Sequence, residues 1–127
     1  MKSEILVVDD DRLLLKTLSS LLEEAGYAVR TASNGAAAVA AVRERRPDLV
    51  LLDVMMPGRD GLAVCRELRA SDPGLLIAFL TALDAPQDEI RGLACGGDVY
   101  VSKTVPDDVL LARIAASRTE AAQLRPA

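Results

Sequence analysis

The sequence predicts an α/β fold, in which a parallel five-stranded sheet carries helices on both faces. Short apolar runs alternate with longer segments of helical spacing, and the alternation repeats five times along the 127 residues. The runs over residues 5–8 and 49–52 are continuously apolar, as expected for strands that are covered on both sides. Such alternation favours right-handed crossovers between parallel strands. In open sheets of this kind the functional site lies outside the carboxyl ends of the strands.

The first strand and the first helix have the clearest patterns. Residues 5–8 (ILVV) form a continuous β-prone run. A helix with one apolar face follows, and Gly26 is a natural stop for it. The predicted buried face of this helix consists of Leu13, Leu14, Leu18, Leu21, Leu22 and Ala25.

The next elements lead to the most apolar strand of the chain. A weaker strand is predicted over residues 27–31, and Asn34 can cap a helix over 36–45. Pro47 ends that helix. Residues 49–52 (LVLL) are uniformly apolar, so this third strand is predicted to lie at the centre of the sheet.

The second half of the chain continues the alternation. The predicted elements are a helix over 62–70, a strand over 75–80, a helix over 86–94, a strand over 99–101, and a last helix that Pro106 opens and that carries Val109, Leu110, Arg113 and Ile114. Residues 119–127 lose the apolar spacing, which predicts a frayed tail. The predicted domain therefore spans residues 1–118.

Composition excludes several classes of function. The net charge of −4 and a pI near 4.8 argue against a nucleic-acid surface. No apolar run approaches the ~20 residues that cross a bilayer, and the chain start has no cleavable signal pattern, so a soluble cytoplasmic protein is expected. The absence of histidine excludes a Ser-His-Asp triad, a histidine-ligated zinc site and a phosphohistidine donor. Cys65 and Cys95 lie in apolar helical patterns, which favours buried reduced thiols.

Polar side chains follow four of the five predicted strands. They are Asp9, Asp10 and Asp11 after the first strand, Asp53 after the third, Thr81 after the fourth and Lys103 after the fifth. Carboxylates that converge on one sheet edge repel one another unless a cation neutralises them. Oxygen ligands without histidine or cysteine suit a hard ion such as Mg²⁺.

These groups together have the parts for phosphoryl transfer. Asp53 would be the nucleophile that forms an acyl phosphate. The metal and Lys103 would neutralise the phosphoryl oxygens, and Thr81 could donate a hydrogen bond to one of them. Each residue alone also fits a structural role, as a helix cap, a strand-end turn or a surface charge. Their joint placement at one edge favours the chemical role.

Four segments in a fixed order resemble the receiver domain of bacterial two-component response regulators. The segments read ILVVDDD, LVLLDVMMPGRDGLAVCRELR, LTALD and GGDVYVSK, and the resemblance covers about residues 3–118. It implies a flavodoxin-like, three-layer (βα)₅ fold with strand order 2-1-3-4-5. It also implies phosphorelay signalling, in which a sensor histidine kinase or a phosphotransfer protein phosphorylates Asp53.

The resemblance further implies a role for each matched residue. Asp10, Asp53 and the backbone carbonyl of Met55 would ligate Mg²⁺ (or Mn²⁺), and Asp9 would act mainly through water. Thr81 and Lys103 would bind the phosphoryl group, and Tyr100 would be the aromatic switch that turns inward when Thr81 moves. The readout face would be formed by the fourth helix, the fifth strand and the fifth helix, which could also support a homodimer. Such a domain assists its own phosphorylation and slow autodephosphorylation but is not an enzyme in the ordinary sense, and contacts neither membrane nor nucleic acid.

The sequence departs from the family pattern after the lysine. The family usually has proline there, joined by a cis peptide bond, whereas Lys103 is followed by Thr104. A cis bond before a non-proline residue costs about 2.5–4 kcal/mol. We therefore expect a trans bond and a less rigidly held Lys103 amine, which would weaken phosphoryl-dependent switching. Val105 stands where the family often has a bulky aromatic, so the packing of this loop is also expected to differ.

Two other functions compete with the signalling role. A small Mg²⁺-dependent phosphatase with an aspartyl nucleophile would need a second acid or base shortly after it, where this chain has Met55, and a cap over the substrate. A degenerate receiver that serves only as a docking module would usually lack the acidic pair or the acceptor. This chain keeps Asp9, Asp10 and Asp53.

Overall fold

A computed structural model of the protein describes residues 2–54, 61–81 and 96–124. These residues form a five-stranded parallel sheet with the strand order β2-β1-β3-β4-β5. This is the predicted order, and β3 is the central strand as its uniform hydrophobicity predicted. The helix predicted over 86–94 lies outside the described residues, as do Met55 and Cys95.

The described elements alternate along the chain as predicted. The strands are β1 (Glu4–Val8), β2 (Ala28–Ala32), β3 (Leu49–Leu52), β4 (Ile77–Thr81) and β5 (Val99–Ser102). The helices are α1 (Arg12–Glu24), α2 (Gly35–Glu44), α3 (Gly61–Ser71) and α4 (Asp107–Leu124).

The sheet separates two apolar clusters, because successive side chains of a strand point to opposite faces. On one face, β-strand residues pack with α2 and α3; this cluster includes Leu6, Val50, Phe79, Val39 and Val64. On the other face they pack with α1 and α4; this cluster includes Ile5, Leu51, Ala78, Leu22 and Ile114. The result is three layers, with a core built almost entirely of aliphatic side chains.

The buried face of α1 overlaps the predicted one, since Leu14, Leu18, Leu21 and Leu22 pack in or against the core, but it excludes Leu13. Leu15, Leu18 and Leu22 are buried, whereas Leu13 is 73% exposed. Nine positions separate Leu13 from Leu22, which at 3.6 residues per turn places them about 180° apart around the helix axis. The run of consecutive leucines fits more than one helix face, so the spacing alone did not fix the rotation of α1.

Helix ends follow the predicted capping residues, except at the carboxyl end of α4. Asn34 caps α2 by accepting a hydrogen bond from the backbone N–H of Ala37 at 2.8 Å. α4 continues to Leu124, six residues into the segment that was expected to fray. Alanine, glutamate and glutamine in that segment are strong helix formers, so helix propensity can extend the helix beyond its apolar face. The domain boundary at residue 118 stays a prediction.

Cys65 is buried and not in a disulfide, as predicted. Among the residues that the structure describes, no helix is both long and apolar enough to cross a bilayer.

Candidate functional site

The carboxyl ends of β1 and β3 bring two aspartates side by side. The backbone N–H of Asp53 donates to the carbonyl of Val8 at 3.0 Å, and that of Asp9 donates to the carbonyl of Ala32 at 3.1 Å. Parallel pairing therefore continues one residue past each strand and fixes both backbones. Asp9 is 2% exposed and Asp53 is 3% exposed. Two carboxylates are thus buried at neighbouring strand ends.

Lys103 joins these two carboxylates from the end of β5. Its Nζ lies 2.9 Å from Oδ2 of Asp9 and 3.3 Å from Oδ2 of Asp53. Burial alone would lower the pKa of the Lys103 amine, but the hydrogen bond to Asp9 and the charges of Asp53 and Asp9 outweigh it. The pKa of Lys103 is consequently raised, and the amine stays positively charged at neutral pH.

Asp10 completes a group of three carboxylates. One oxygen each of Asp9, Asp10 and Asp53 lies within 4.8 Å of the others, and Asp10 is exposed whereas the other two are buried. Among the described residues, this group has three carboxylates and one ammonium in contact with it, that of Lys103, so negative charge is in excess within this set. An all-oxygen donor set with excess negative charge fits a hard divalent cation such as Mg²⁺ or Mn²⁺.

Asp11 has the structural role expected of a helix cap. Its Oδ1 accepts hydrogen bonds from the backbone N–H groups of Leu13 at 3.0 Å and Leu14 at 3.2 Å. Its own N–H donates to Oδ1 of Asp9 at 2.9 Å. The start of α1 therefore holds Asp9 in place while Asp11 stays out of the carboxylate group.

Gly61 places the start of α3 directly against the acceptor strand. Its N–H donates to the carbonyl of Val54 at 2.8 Å. A Cβ atom at this position would lie 2.0 Å from the backbone oxygen of Asp53, far inside van der Waals contact. Only glycine allows this approach, so α3 helps to fix the backbone that carries Asp53.

The sequence matches the response regulator receiver domain over residues 5–115. The chain belongs to this family. It is 47% identical over 116 residues to the DNA-binding response regulator MtrA of Mycolicibacterium smegmatis, a match that covers 91% of this chain and 50% of that protein. It is 45% identical over 112 residues to the probable transcriptional regulatory protein TcrX of Mycobacterium tuberculosis, covering 88% of this chain and 48% of that protein. The chain thus spans about half the length of these relatives.

A solved receiver domain has the same architecture. The CheY-like receiver domain protein of Methanospirillum hungatei superposes with a TM-score of 0.91 at 26% identity, covering 97% of this chain and 98% of the other. This chain is therefore a receiver of two-component phosphorelay signalling. The family match and these relatives do not favour the degenerate docking module.

The receiver's loop after β5 differs from the family pattern, because Thr104 stands where proline is usual. Among the described residues there is no cis peptide bond, so the Lys103–Thr104 bond is trans, as expected. Ser102 Oγ lies 2.8 Å from Thr104 Oγ1 and accepts the N–H of Thr104 at 3.2 Å. The Lys103 amine nevertheless reaches both buried carboxylates.

Two predicted switch residues of the receiver lie on β4 and β5. The backbone of Thr81 ends β4 and is paired with Ser102 of β5; its side chain is outside the described part of the structure. Tyr100 is partly buried against the cluster that contains Phe79, with ring centroids 6.4 Å apart and planes at 47°. Tyr100 is therefore next to both the core and solvent.

The sequence did not indicate the roles of Gly61 and Ser102. Gly61 lies in the matched segment LVLLDVMMPGRDGLAVCRELR, but a close backbone approach leaves no pattern beyond the glycine itself. Ser102 directly precedes Lys103, but a hydroxyl at a strand end is too common to indicate a contact. Both roles depend on distances that only the folded chain defines.

Proposed function

We propose that Asp53 accepts a phosphoryl group from a phosphohistidine on a partner protein. A carboxylate oxygen of Asp53 forms the new bond to phosphorus, the phosphorus–nitrogen bond breaks, and the imidazole leaves with the bonding electrons. The observation that carries this proposal is the contact of one ammonium, that of Lys103, with the carboxylates of Asp9 and Asp53.

The environment of Asp53 supports its role as the acceptor. Its backbone is fixed by β1 and by the start of α3, and its side chain is buried and contacts the Lys103 ammonium. Such positioning supplies much of the acceleration in phosphoryl transfer, because the transfer itself needs little covalent assistance from the protein. Asp9 is held in the same way, and its two carboxylate oxygens contact the Lys103 ammonium and the N–H of Asp11.

Lys103 is the fixed positive charge of the proposed site. Before transfer its ammonium balances the buried carboxylates, and after transfer it can follow the charge onto a phosphoryl oxygen. Since the ammonium is already 3.3 Å from Asp53 Oδ2, little reorganisation is needed. Preorganised charge of this kind stabilises the transition state more than the ground state.

The carboxylates would hold a divalent cation, Mg²⁺ or Mn²⁺. Asp10 and Asp53 would be direct ligands with the backbone carbonyl of Met55, and Asp9 would act through water. The exposure of Asp10 and the engagement of both Asp9 oxygens support this division. When bound, the cation would neutralise phosphoryl oxygens and let a charged donor approach the acidic edge.

The proposed output is a change in the surface around Tyr100. A phosphoryl group would attract the hydroxyl of Thr81, and Tyr100 would fill the space that is vacated. The partial burial of Tyr100 beside Phe79 supports a side chain with two available positions. The phosphoryl group would thus favour one of two pre-existing states. Slow autodephosphorylation would reset the domain.

The proposed partners are a sensor histidine kinase or a phosphotransfer protein, and a second copy of this domain through the face of residues 86–94, β5 and α4. MtrA is named as DNA-binding, but this chain matches only about half of its length. We assign no DNA contact to the receiver itself, because its net charge is −4. A cytoplasmic location remains our prediction.

The direct experiment is phosphorylation by a small donor. The protein is incubated with acetyl phosphate and Mg²⁺, and intact mass is measured. We expect a gain of one phosphoryl group, which is lost in Asp53→Asn and when the cation is chelated.

Asp11→Asn is the matched control. It makes the same chemical change near the site, and asparagine still caps a helix, so this variant should be phosphorylated normally. An adduct that persists in Asp53→Asn, or one that Asp11→Asn abolishes, would contradict the proposal.

A further inference from the structure

The turn after β5 contains hydroxyl contacts that the proposed function does not use. Ser102 is the last residue of β5 and is paired with Thr81 of β4, so the sheet fixes its backbone. Lys103 and Thr104 follow, and the chain enters α4 near Pro106. Lys103 is thus the first residue beyond the strand.

Three contacts of Ser102 close the chain around Lys103. The Ser102 hydroxyl oxygen lies 2.8 Å from the Thr104 hydroxyl oxygen and accepts the Thr104 N–H at 3.2 Å. The Ser102 carbonyl accepts the N–H of Val105 at 3.3 Å. Two of these contacts need the serine hydroxyl, and one needs the threonine hydroxyl.

The position of the Lys103 backbone matters because its side chain has far to reach. β5 is the edge strand, and β3, which carries Asp53, lies two strands away. Two strand spacings are roughly 10 Å. A lysine side chain that covers most of this distance has little length left to compensate for a shift of its Cα atom. Movement of the backbone in a loose turn would therefore displace the ammonium as well.

We propose that Ser102 and Thr104 are positioning residues, whose hydroxyl pair holds the Lys103 ammonium on Asp9 and Asp53. The hydroxyl pair takes over, in a trans turn, the restraint that a rigid residue after the lysine would give. Ser102 and Thr104 themselves would not touch the reacting groups and would act only through Lys103. The expected effect of these residues on phosphorylation rests on the proposed function, whereas their expected effect on the position of the Lys103 amine does not.

The amine can be observed directly in the unphosphorylated protein. The sequence has only three lysines, Lys2, Lys16 and Lys103, so the nitrogen-15 spectrum of the ammonium groups can be assigned with one Lys103→Arg variant. Lys2 and Lys16 are exposed, whereas the Lys103 side chain is 23% exposed and paired. We expect the Lys103 protons to exchange with water more slowly than the other two.

The test compares Ser102→Ala, Thr104→Val and Ser102→Thr. Ser102→Ala removes both hydroxyl contacts and should speed exchange of the Lys103 protons by at least about threefold to tenfold, the range for the loss of one neutral hydrogen bond. Thr104→Val keeps the shape and the backbone donor and should have a smaller effect in the same direction. Ser102→Thr keeps a hydroxyl at this position and should therefore keep the slow exchange of the unaltered protein.

The same variants are then phosphorylated with acetyl phosphate and Mg²⁺. The rate at saturating donor should fall in the order of the exchange effects and recover in Ser102→Thr. Unchanged exchange in both Ser102→Ala and Thr104→Val would overturn the inference, as would a slower phosphorylation with unchanged exchange. If exchange responds but even the unaltered protein gains no phosphoryl group, the positioning role stands and the proposed function falls.

Discussion

Three charged side chains lie in a largely buried position, those of Lys103, Asp9 and Asp53. Taking charges out of water is costly, and their mutual attraction repays this cost only with good geometry. Apolar side chains at the same strand ends would stabilise the fold at least as well. Chemistry at the site therefore explains these residues better than stability does.

Gly61→Ala should destabilise the domain because the new methyl group meets the backbone of Asp53. The Cβ atom would lie 2.0 Å from a carbonyl oxygen, so α3 or β3 must shift. We expect a loss of about 1–3 kcal/mol in the free energy of unfolding, measured by urea denaturation.

Gly74→Ala is the control for this substitution. The nearest atom to its Cβ would be Nη2 of Arg46 at 3.3 Å, at the end of a flexible side chain. The cost there should be well below that at Gly61. Equal costs at the two positions would show that the contact with Asp53 is not the cause.

At this scale the sequence predicted chemical types better than contacts. Asp11 as a helix cap and the pairing of Lys103 with Asp53 followed from residue type and strand order. The close approach of Gly61 and the hydroxyl pair of Ser102 did not, because each depends on a separation below about 3 Å that no periodicity encodes.

At the scale of elements, Arg69 joins α3 to the turn that precedes β5. Its guanidinium donates to the carbonyls of Pro73 at 2.8 Å and Gly96 at 2.6 Å, and it pairs with Asp98 at 2.8 Å. Asp98 Oδ2 also accepts the N–H of Ile77 at 2.9 Å. One planar side chain therefore sets how β4, β5 and α3 meet.

Arg69→Lys should remove most of this network while it keeps the charge. An ammonium cannot reproduce the fork of the guanidinium, so we expect a loss of about 1–3 kcal/mol in the free energy of unfolding. Urea denaturation followed by circular dichroism measures it. Arg113→Lys, at an exposed position of α4, should change stability by less than about 0.5 kcal/mol. A matching loss in both variants would contradict the role of Arg69.

A second network ties the start of β1 to β2 and to the end of α2. Glu4 contacts Arg30 Nη2 at 2.8 Å and Arg45 Nη2 at 2.6 Å. Burial would raise the pKa of Glu4, but the hydrogen bonds and charges of Arg45 and Arg30 outweigh it, so the pKa is lowered below 4.5. The folded state therefore favours the ionised form of the Glu4 carboxylate.

The pH dependence of unfolding tests this network. A lowered folded pKa gives stability that is fully present above the unfolded value near 4.5 and is lost as pH falls through the folded value. The stability advantage of the unaltered protein over Glu4→Gln should therefore shrink below about pH 4.5. In an Arg45→Gln background the shrinkage should be smaller. If the stability advantage over Glu4→Gln stayed constant down to pH 3, the proposed effect of the two arginines on the pKa of Glu4 would be contradicted.

At this scale the type of each element was predictable and its rotation was not. Uniform apolar runs identified β1 and β3, since few other structures bury nearly every side chain of a short segment. In α1, Leu13, Leu14 and Leu15 satisfied several helix faces, and packing against the sheet selected the one centred on Leu18. Contact with the sheet therefore decides the rotation of the helix where the leucine pattern fits several faces.

For the whole molecule, the strand order explains why the site forms where it does. β1 and β3 are neighbours at the centre of the sheet, so the residues that follow them meet although they are far apart in sequence. The order itself was available only from the resemblance to the family, whereas the parallel alternation was visible in the residues. Both were confirmed.

Reductive trapping can identify the residue that carries the phosphoryl group, which we propose to be Asp53. After incubation with acetyl phosphate and Mg²⁺, borohydride converts an acyl phosphate to an alcohol, and peptide mass mapping then locates the changed residue. We expect homoserine at position 53 and at no other aspartate. Reduction at Asp9 or Asp10, or an unreduced chain in a sample whose mass shows one phosphoryl group, would contradict it.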